Sequence, residues 1–411
     1  VAPTDVLLDR SASAPSPAVR ALKPALVLAG LLLVAANLRA GITTVGPVLE
    51  ELRHDLGLSS LTASALISLP LLAFAVVSPF APALARRLGL ERTLALGLAG
   101  LAAGLVIRSV PGRPLLWAGT ALLGVAVAVL NVILPALVKR DFPTRIGQIT
   151  GTYSSLQAVF AAVAAGLAVP VAAATSAGWR LPLGMWAGLA LIGIAVLAPQ
   201  LRRRTVNSPA QDDVRLEPAK PLRSPWRTRL GWQVTIFMAL QSTGYFVLIT
   251  WLPSIEESAG ISPATAGVHQ LLLNGLGIAG SITASALIPR LRDQRVLGVV
   301  APLLFAASTV GFLAAPQLSA AWAVIAGIAG GGSIVLALSF FGLRTAHHTQ
   351  AAALSGMAQS IGYLVAAAGP IAVGALHDAT NSWTPALLSL LAIQLVLAGF
   401  GYLAGRNRVI G

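Results

Sequence analysis

Apolar runs of membrane-spanning length alternate with short polar, basic segments along nearly the whole chain. A helix crosses a bilayer with about 20 mostly apolar residues. The runs place twelve such helices at 24–49, 60–84, 93–110, 114–138, 146–174, 182–201, 230–253, 263–289, 296–314, 318–342, 350–375 and 384–404. A transmembrane β-barrel would show short segments of alternating polarity instead. The pattern predicts an all-α integral membrane protein. A polar segment with Pro209, Pro218, Pro221 and Pro225 interrupts it in the middle, as a linker does. The expected organisation is a disordered N-terminus 1–23, a six-helix bundle 24–201, a linker 202–229, a second six-helix bundle 230–405 and a tail 406–411.

The two bundles look like copies of one unit. Pro47-Val-Leu-Glu-Glu and Gly57-Leu-Ser-Ser-Leu-Thr-Ala follow the first span. Pro253-Ser-Ile-Glu-Glu and Gly260-Ile-Ser-Pro-Ala-Thr-Ala follow the seventh, offset by about 206 residues with a three-residue gap. Thr150-Gly151 with Ser155 opens the fifth span, and Ser355-Gly356 with Ser360 opens the eleventh. Each is preceded by a basic residue ending the previous span, Arg140 and Arg344. Matching elements keep one orientation, so the bundles are expected to be pseudo-symmetric parallel repeats.

Composition agrees with a membrane chain: 56% of the 411 residues are hydrophobic and 10% charged, with mean hydropathy +0.81. Soluble proteins carry about 25% charged residues. The net charge of +14 would suggest nucleic acid in a soluble protein. Here 23 of the 28 basic residues fall on one side of the predicted topology. The positive-inside rule makes that side cytoplasmic, together with both termini and the linker. No nucleic-acid partner is expected. Cysteine is absent, which excludes a disulfide framework and thiolate metal sites. No removable signal peptide stands out. The first residue is Val, consistent with a processed, truncated or alternative start.

Arg39 is the residue that most narrows function. It lies near the middle of the first predicted span, with no acidic residue within two helical turns. A charge there costs about 2.5–3.5 kcal/mol on insertion scales, and a guanidinium does not shed its proton. Contact with an anion or polar substrate is one reading; a structural charge satisfied by helix-end carbonyls is the other. Thr43 shares its helix face, whereas Asn37 points about 200° away and suits an interhelical contact.

Three spans carry Tyr and Gln four residues apart: Tyr153/Gln157, Gln241/Tyr245 and Gln359/Tyr363. Such pairs share a helix face. With the midspan amides Asn131 and Asn274, they are expected to line a cavity between the bundles, interhelical hydrogen bonding being the alternative. With the repeat offset, Arg39 falls opposite Tyr245. No Asp or Glu lies deep in any span, and Glu50, Glu51, Glu256, Glu257 and Asp378 fall near external ends, to cap helices or bind at the mouth. His269 is the internal candidate for coupling to a proton. Arg86, Arg87, Arg140 and Arg344 are candidate gating residues on the cytoplasmic side. Arg108 and Arg180 are expected to be interfacial anchors. Gly330-Gly331-Gly332 lacks the Lys-Ser/Thr of a phosphate loop and suits close helix packing. His347-His348 has no nearby Cys or carboxylate, so neither a metal nor a cofactor is expected.

The motifs Asn37-Leu-Arg-Ala-Gly, Leu84-Ala-Arg-Arg-Leu-Gly-Leu-Glu-Arg and Asn131-Val-Ile-Leu-Pro-Ala-Leu-Val-Lys-Arg-Asp-Phe-Pro resemble the cyanate and nitroimidazole transporter (CynX/NimT) family. So do Trp251-Leu-Pro, Gly342-Leu-Arg-Thr, Leu354-Ser-Gly-Met-Ala-Gln-Ser-Ile-Gly-Tyr and Gly374-Ala-Leu-His-Asp. The resemblance covers nearly all of the chain after Pro24. It implies a bacterial inner-membrane transporter with the major facilitator fold, working by alternating access. One motif departs from the superfamily pattern: Arg86 stands where many members have Asp, and Leu90-Glu91 where two basic residues are common.

These readings converge on a monomeric secondary active transporter in the lipid bilayer. It would move a small anionic or polar solute, with a proton as a possible second partner, and hold the solute near Arg39. An exporter of small heteroaromatic drugs or metabolites is the alternative. A membrane enzyme would need paired carboxylates, a His cluster or an acidic metal motif, and a sensor without transport would normally carry an added signalling domain.

Overall fold

The computed structural model describes residues 24–58, 60–202 and 222–410. The expectations for residues 1–23 and for most of the linker therefore fall outside the described residues. The described residues form fifteen α-helices and no strand, apart from one isolated bridge between Thr345 and Ile410. Helices satisfy their own backbone, as lipid requires. Eleven helical segments are long and apolar enough to cross a membrane, one of them made of two consecutive short helices, and one bent pair brings the count to twelve.

Three predicted spans are interrupted, the first two at a proline. The first helix, α1 (Pro24–Thr43), stops before Gly46-Pro47, and a short amphipathic α2 (Leu49–Leu56) follows. The second span divides into α3 (Ser60–Val77) and α4 (Ala81–Leu88), bent by 62°. Pro79 disfavours helical backbone at the residue before it. The third and fourth spans are α5 (Leu90–Ser109) and α6 (Arg113–Asp141), and the fifth is α7 (Ile146–Ala173). The sixth, with Pro182, divides into α8 (Arg180–Gly184) and α9 (Ala187–Leu197). After the linker come α10 (Arg229–Ser258), α11 (Pro263–Leu287), α12 (Arg295–Ala314), α13 (Ser319–Leu343), α14 (His348–Thr380) and α15 (Thr384–Ala404).

Helix pairing repeats between the first nine helices and the last six. In the first set α1 packs on α7 and α9, α6 on α3 and α5, and α5 on α9. In the second, α10 packs on α14 and α15, α13 on α11 and α12, and α12 on α15. The halves meet through α7 against α11 and α13, and through α14 against α3, α4 and α6.

The apolar core shows where the halves join. One large cluster contains Leu134, Leu137 and Ile146 of the first half together with Val335, Phe340, Phe341 and Leu354 of the second. All lie toward the end where the linker attaches. At the far end the core separates into one cluster around Leu52 and Trp179 and another around Leu252 and Trp383. Hydrogen bonds follow the same division. Ser285 donates to the carbonyls of Gly147 and Gln148, and Ser360 to that of Ala75, all toward the linker end. The molecule is closed at the linker end, and its halves diverge toward the far end.

Candidate functional site

Four polar side chains meet in the cleft at one depth. Arg39 lies 15 residues beyond the start of α1, Tyr245 16 beyond that of α10 and Tyr363 15 beyond that of α14. At 1.5 Å per residue these positions stand about 22 Å from the linker end. Arg39 is exposed although it sits within an apolar span. Its guanidinium lies near both tyrosine hydroxyls. Among the described residues no carboxylate forms an ion pair with it.

Tyr245 donates its hydroxyl to Asn274 Oδ1 at 2.7 Å, and Asn274 Nδ2 donates to the Gln270 carbonyl at 2.9 Å. Both groups are thereby fixed in direction. The ring of Tyr363 lies 4.9 Å from that of Phe74 on the opposite half. The arrangement combines one uncompensated cation, two phenols and an exposed amide. It can bind an anion or a planar polar solute through a guanidinium fork and ring faces.

The other predicted lining residues lie deeper, except Thr43, which is a turn nearer the far end. Gln359 is fully buried and donates to the Asn131 carbonyl at 3.3 Å and to Ser355 Oγ at 2.7 Å. It ties α14 to α6 beneath the cleft. Asn131, half-buried, thus contributes its backbone to the floor. Tyr153 is buried beside Tyr363. Gln157 is buried with its Nε2 lacking a hydrogen-bond partner, which leaves one donor near the floor. Gln241 is buried too and spends its amide on Ser242 Oγ at 2.6 Å. Thr43 donates to carbonyls of α1 and, at 3.1 Å, of Ala161 on α7. The Tyr–Gln pairs therefore do not share one environment: at Tyr245 and Tyr363 the ring reaches the cleft level while its glutamine is packed inside. Asn37 bonds the Leu33 and Leu189 carbonyls, an interhelical contact.

The arginines at the linker end divide into two kinds. Arg86 and Arg87 are exposed on α4. Arg140 pairs with Glu91 at 2.6 Å and with its neighbour Asp141 at 2.9 Å. Glu91, the acid where bases are common, thus supplies the carboxylate that this motif otherwise lacks. Arg344 is buried, bonds the carbonyls of Ala404 (2.7 Å) and Gly405 (3.0 Å) and the Gln294 side chain, and lies over Phe340. Both are clamps inside one half rather than bolts between halves in this conformation. The tail joins the second clamp, since Ile410 N–H donates to the Arg344 carbonyl at 2.9 Å.

Sequence reasoning missed two buried groups. Arg108, expected as an interfacial anchor, is fully buried and donates to the Leu183 carbonyl at 3.0 Å, holding α5 to the broken sixth span. Glu256, expected at the mouth, is 1% exposed and sits 3.0 Å from His269 Nδ1. Nothing in the local sequence distinguishes it from exposed Glu257. At the far surface, the Trp179 indole donates to Asp55, and Arg180 pairs with it at 2.9 Å. The indole bond, followed by the arginine, holds the Asp55 carboxyl below the usual range.

The sequence pattern of the Major Facilitator Superfamily matches residues 31–370. An uncharacterised transporter, YycB of Bacillus subtilis, is 42% identical and covers 93% of this chain and 94% of its own length. A 2-nitroimidazole transporter of Escherichia coli is 38% identical, over 93% of this chain and 96% of its own. The cyanate transport protein CynX of Escherichia coli is 26% identical, over 90% of this chain and 96% of its own. Among solved structures, the proton:xylose symporter XylE superposes with a TM-score of 0.73 at 13% identity, over 94% of this chain and 97% of its own, a likeness of fold.

Proposed function

The chain belongs to the Major Facilitator Superfamily, and from that premise we propose that it moves a small anionic or polar solute across the bacterial inner membrane by alternating access, with the solute held at Arg39. The observation that carries the reading is an exposed, uncompensated guanidinium at mid-depth in the cleft between the halves. Its charge reaches Tyr245 and Tyr363 of the opposite half. A solute bound there would touch both halves, as alternating access requires of a central ligand. One copy of the chain encloses the site, so a monomer suffices.

The names of two relatives bracket the chemistry. Cyanate is a small linear anion; 2-nitroimidazole is a planar polar ring. Both offer acceptor atoms to a guanidinium fork, and the ring adds a face for tyrosine stacking. Basic residues concentrate at the linker end, which makes that end cytoplasmic. On this reading the open far end faces outward, and we assign Tyr245, Asn274, Tyr363 and Gln157 to the site with Arg39.

Ligand-induced thermal stabilisation of the purified protein tests this, with cyanate, nitrate and 2-nitroimidazole as probes. A ligand at about 100 times its Kd adds roughly 2.7 kcal/mol. Wild type is expected to shift with at least one probe and Arg39→Ala with none. Arg39→Lys should recover part of the shift, since a point charge does not replace a planar fork. Equal shifts in wild type and Arg39→Ala would remove Arg39 from the site.

A further inference from the structure

We propose that Glu256 and His269 form a proton-binding site that couples solute movement to proton movement, acting on the solute site through the seam between α10 and α11. The proposal rests on the transporter reading above and adds the second ligand and its place.

Glu256 ends α10 and His269 lies on α11, two helices of the same half. Their side chains meet at 3.0 Å between Oε1 and Nδ1, and both residues are buried. The second carboxylate oxygen, Oε2, is buried with no hydrogen-bond partner. Ser319 of α13 is a hydroxyl donor within reach of the carboxyl, and its single proton is divided between that carboxyl and the Pro316 carbonyl at 2.7 Å. A buried carboxylate normally gathers donors on both oxygens; this one has only His269 and a hydroxyl divided with a backbone carbonyl, and a proton would satisfy the remainder.

Among the described residues no other charge competes at the pair. α13 carries no charged or titratable side chain, and α12 none after Arg295. On α10 the neighbouring Glu257 is exposed. On α14 the nearest titratable groups are Asp378, exposed near the helix end, and His377, whose ring stacks on Trp383 at 3.9 Å. The pair alone decides the charge of this buried pocket. Without an added proton, a carboxylate beside a neutral imidazole leaves one net negative charge there. One proton, shared between Oε1 and Nδ1, brings the pair to zero. The neutral form is the one that closed, dry packing around it tolerates.

The pair does not touch the solute, and the seam connects the two. Glu256 stands eleven residues along α10 from Tyr245, about 16 Å on a helix. Three polar contacts join α10 to α11 over that length. They are Glu256 to His269 (3.0 Å), Gln270 to the Ile249 carbonyl (2.9 Å) and Tyr245 to Asn274 (2.7 Å). His269, Gln270 and Asn274 occupy little more than one turn of α11. A change in how Glu256 holds His269 therefore bears on the helix segment that orients Asn274 and the Tyr245 hydroxyl.

Infrared difference spectra of the reconstituted, solute-free protein across a pH titration test the proton site without any assumption about the solute. Wild type is expected to gain a protonated-carboxyl band as pH falls. Glu256→Gln should lose that band, and His269→Gln should move it along the pH axis. A tyrosine mode that changes with the band in wild type should vanish in Tyr245→Phe. If the Gln variant does not fold, Glu256→Asp should keep the band at a different pH. Spectra unchanged between wild type and folded Glu256 variants would overturn the site, and an unchanged tyrosine mode would overturn the seam.

Flux of 2-nitroimidazole in the same vesicles tests the coupling. A pH gradient is expected to accelerate it several-fold in wild type and not in Glu256→Gln, which retains gradient-free exchange. A full gradient response in Glu256→Gln would overturn the coupling. A carboxyl and tyrosine response without flux of this probe would count against the solute reading while supporting the proton site.

Discussion

Tyr245 gets its direction from Asn274 on the neighbouring helix, and with it its orientation in the site proposed at Arg39. Tyr245→Phe removes that hydrogen bond, worth about 1 kcal/mol net, and should weaken solute binding by roughly 5-fold without unfolding the protein. Calorimetric titration with the probe that stabilises wild type checks this; unchanged affinity would make the Tyr245–Asn274 pair purely structural. Arg39 was legible in the sequence because an uncompensated charge in an apolar run has few explanations. Asn37 was legible from its angle to Arg39. Gln241 and Gln359 were not separable from their tyrosines, because a shared helix face does not say which level of that face opens to the cleft. Glu256 was illegible for a different reason. Its burial comes from α11, which turns back along α10 a few residues later, and from α13, which is far along the chain; neither packing shows in the local pattern. The same holds for Arg108, covered by the sixth span.

Helix contacts are set by glycine where backbones cross. On α13, a Cβ at Gly331 would stand 1.9 Å from the Gly277 carbonyl of α11, and one at Gly327 would stand 2.3 Å from the Leu273 carbonyl. A Cβ at Gly280 of α11 would meet the Ile328 carbonyl at 2.0 Å. Backbone atoms cannot step aside as a flexible side chain does, so Gly331→Ala must separate the two helices. Such overpacking costs about 1–3 kcal/mol. Gly399→Ala on α15, where nothing lies within 4 Å, is the control. Thermal unfolding in one detergent should show a clear loss for Gly331→Ala and none for Gly399→Ala; equal stabilities would mean the crossing yields more easily than its geometry implies. The run Gly330-Gly331-Gly332 announced close packing in the sequence. Which glycine bears it was not readable there, since that depends on the register of α13 against α11. The breaks of the first and second spans had their cause in view, at Pro47 and Pro79, but hydropathy averages across a proline; the break of the sixth, at Met185-Trp186, has no proline at it.

The two halves are joined over one end, and small residues make that end tight. A Cβ at Gly151 of α7 would lie 2.1 Å from Ser285 Cβ of α11, and one at Gly356 of α14 would lie 2.7 Å from the Ser78 carbonyl. These glycines occupy matching places in the two halves, so the closed end uses the same device twice. A bulkier residue at either place is a wedge against closure at the linker end. If the molecule alternates between two arrangements, a wedge at one end lowers the population of the state closed there and raises the other. Gly151→Val should therefore close the far end more often. The chain has no cysteine, so one introduced thiol reports without background. Gly267 is a suitable place: it has no neighbour within 4 Å and lies seven residues before Asn274, on the same face of α11. In Gly267→Cys, a membrane-impermeant maleimide should label rapidly from the far side. Adding Gly151→Val should slow that labelling several-fold, and a solute that favours the closed far end should slow it in the single variant as well. Labelling as fast with the wedge as without it, in a protein that still unfolds cooperatively, would mean that closure at the linker end does not compete with closure at the far end, and the two-arrangement account of transport would fail at its first requirement.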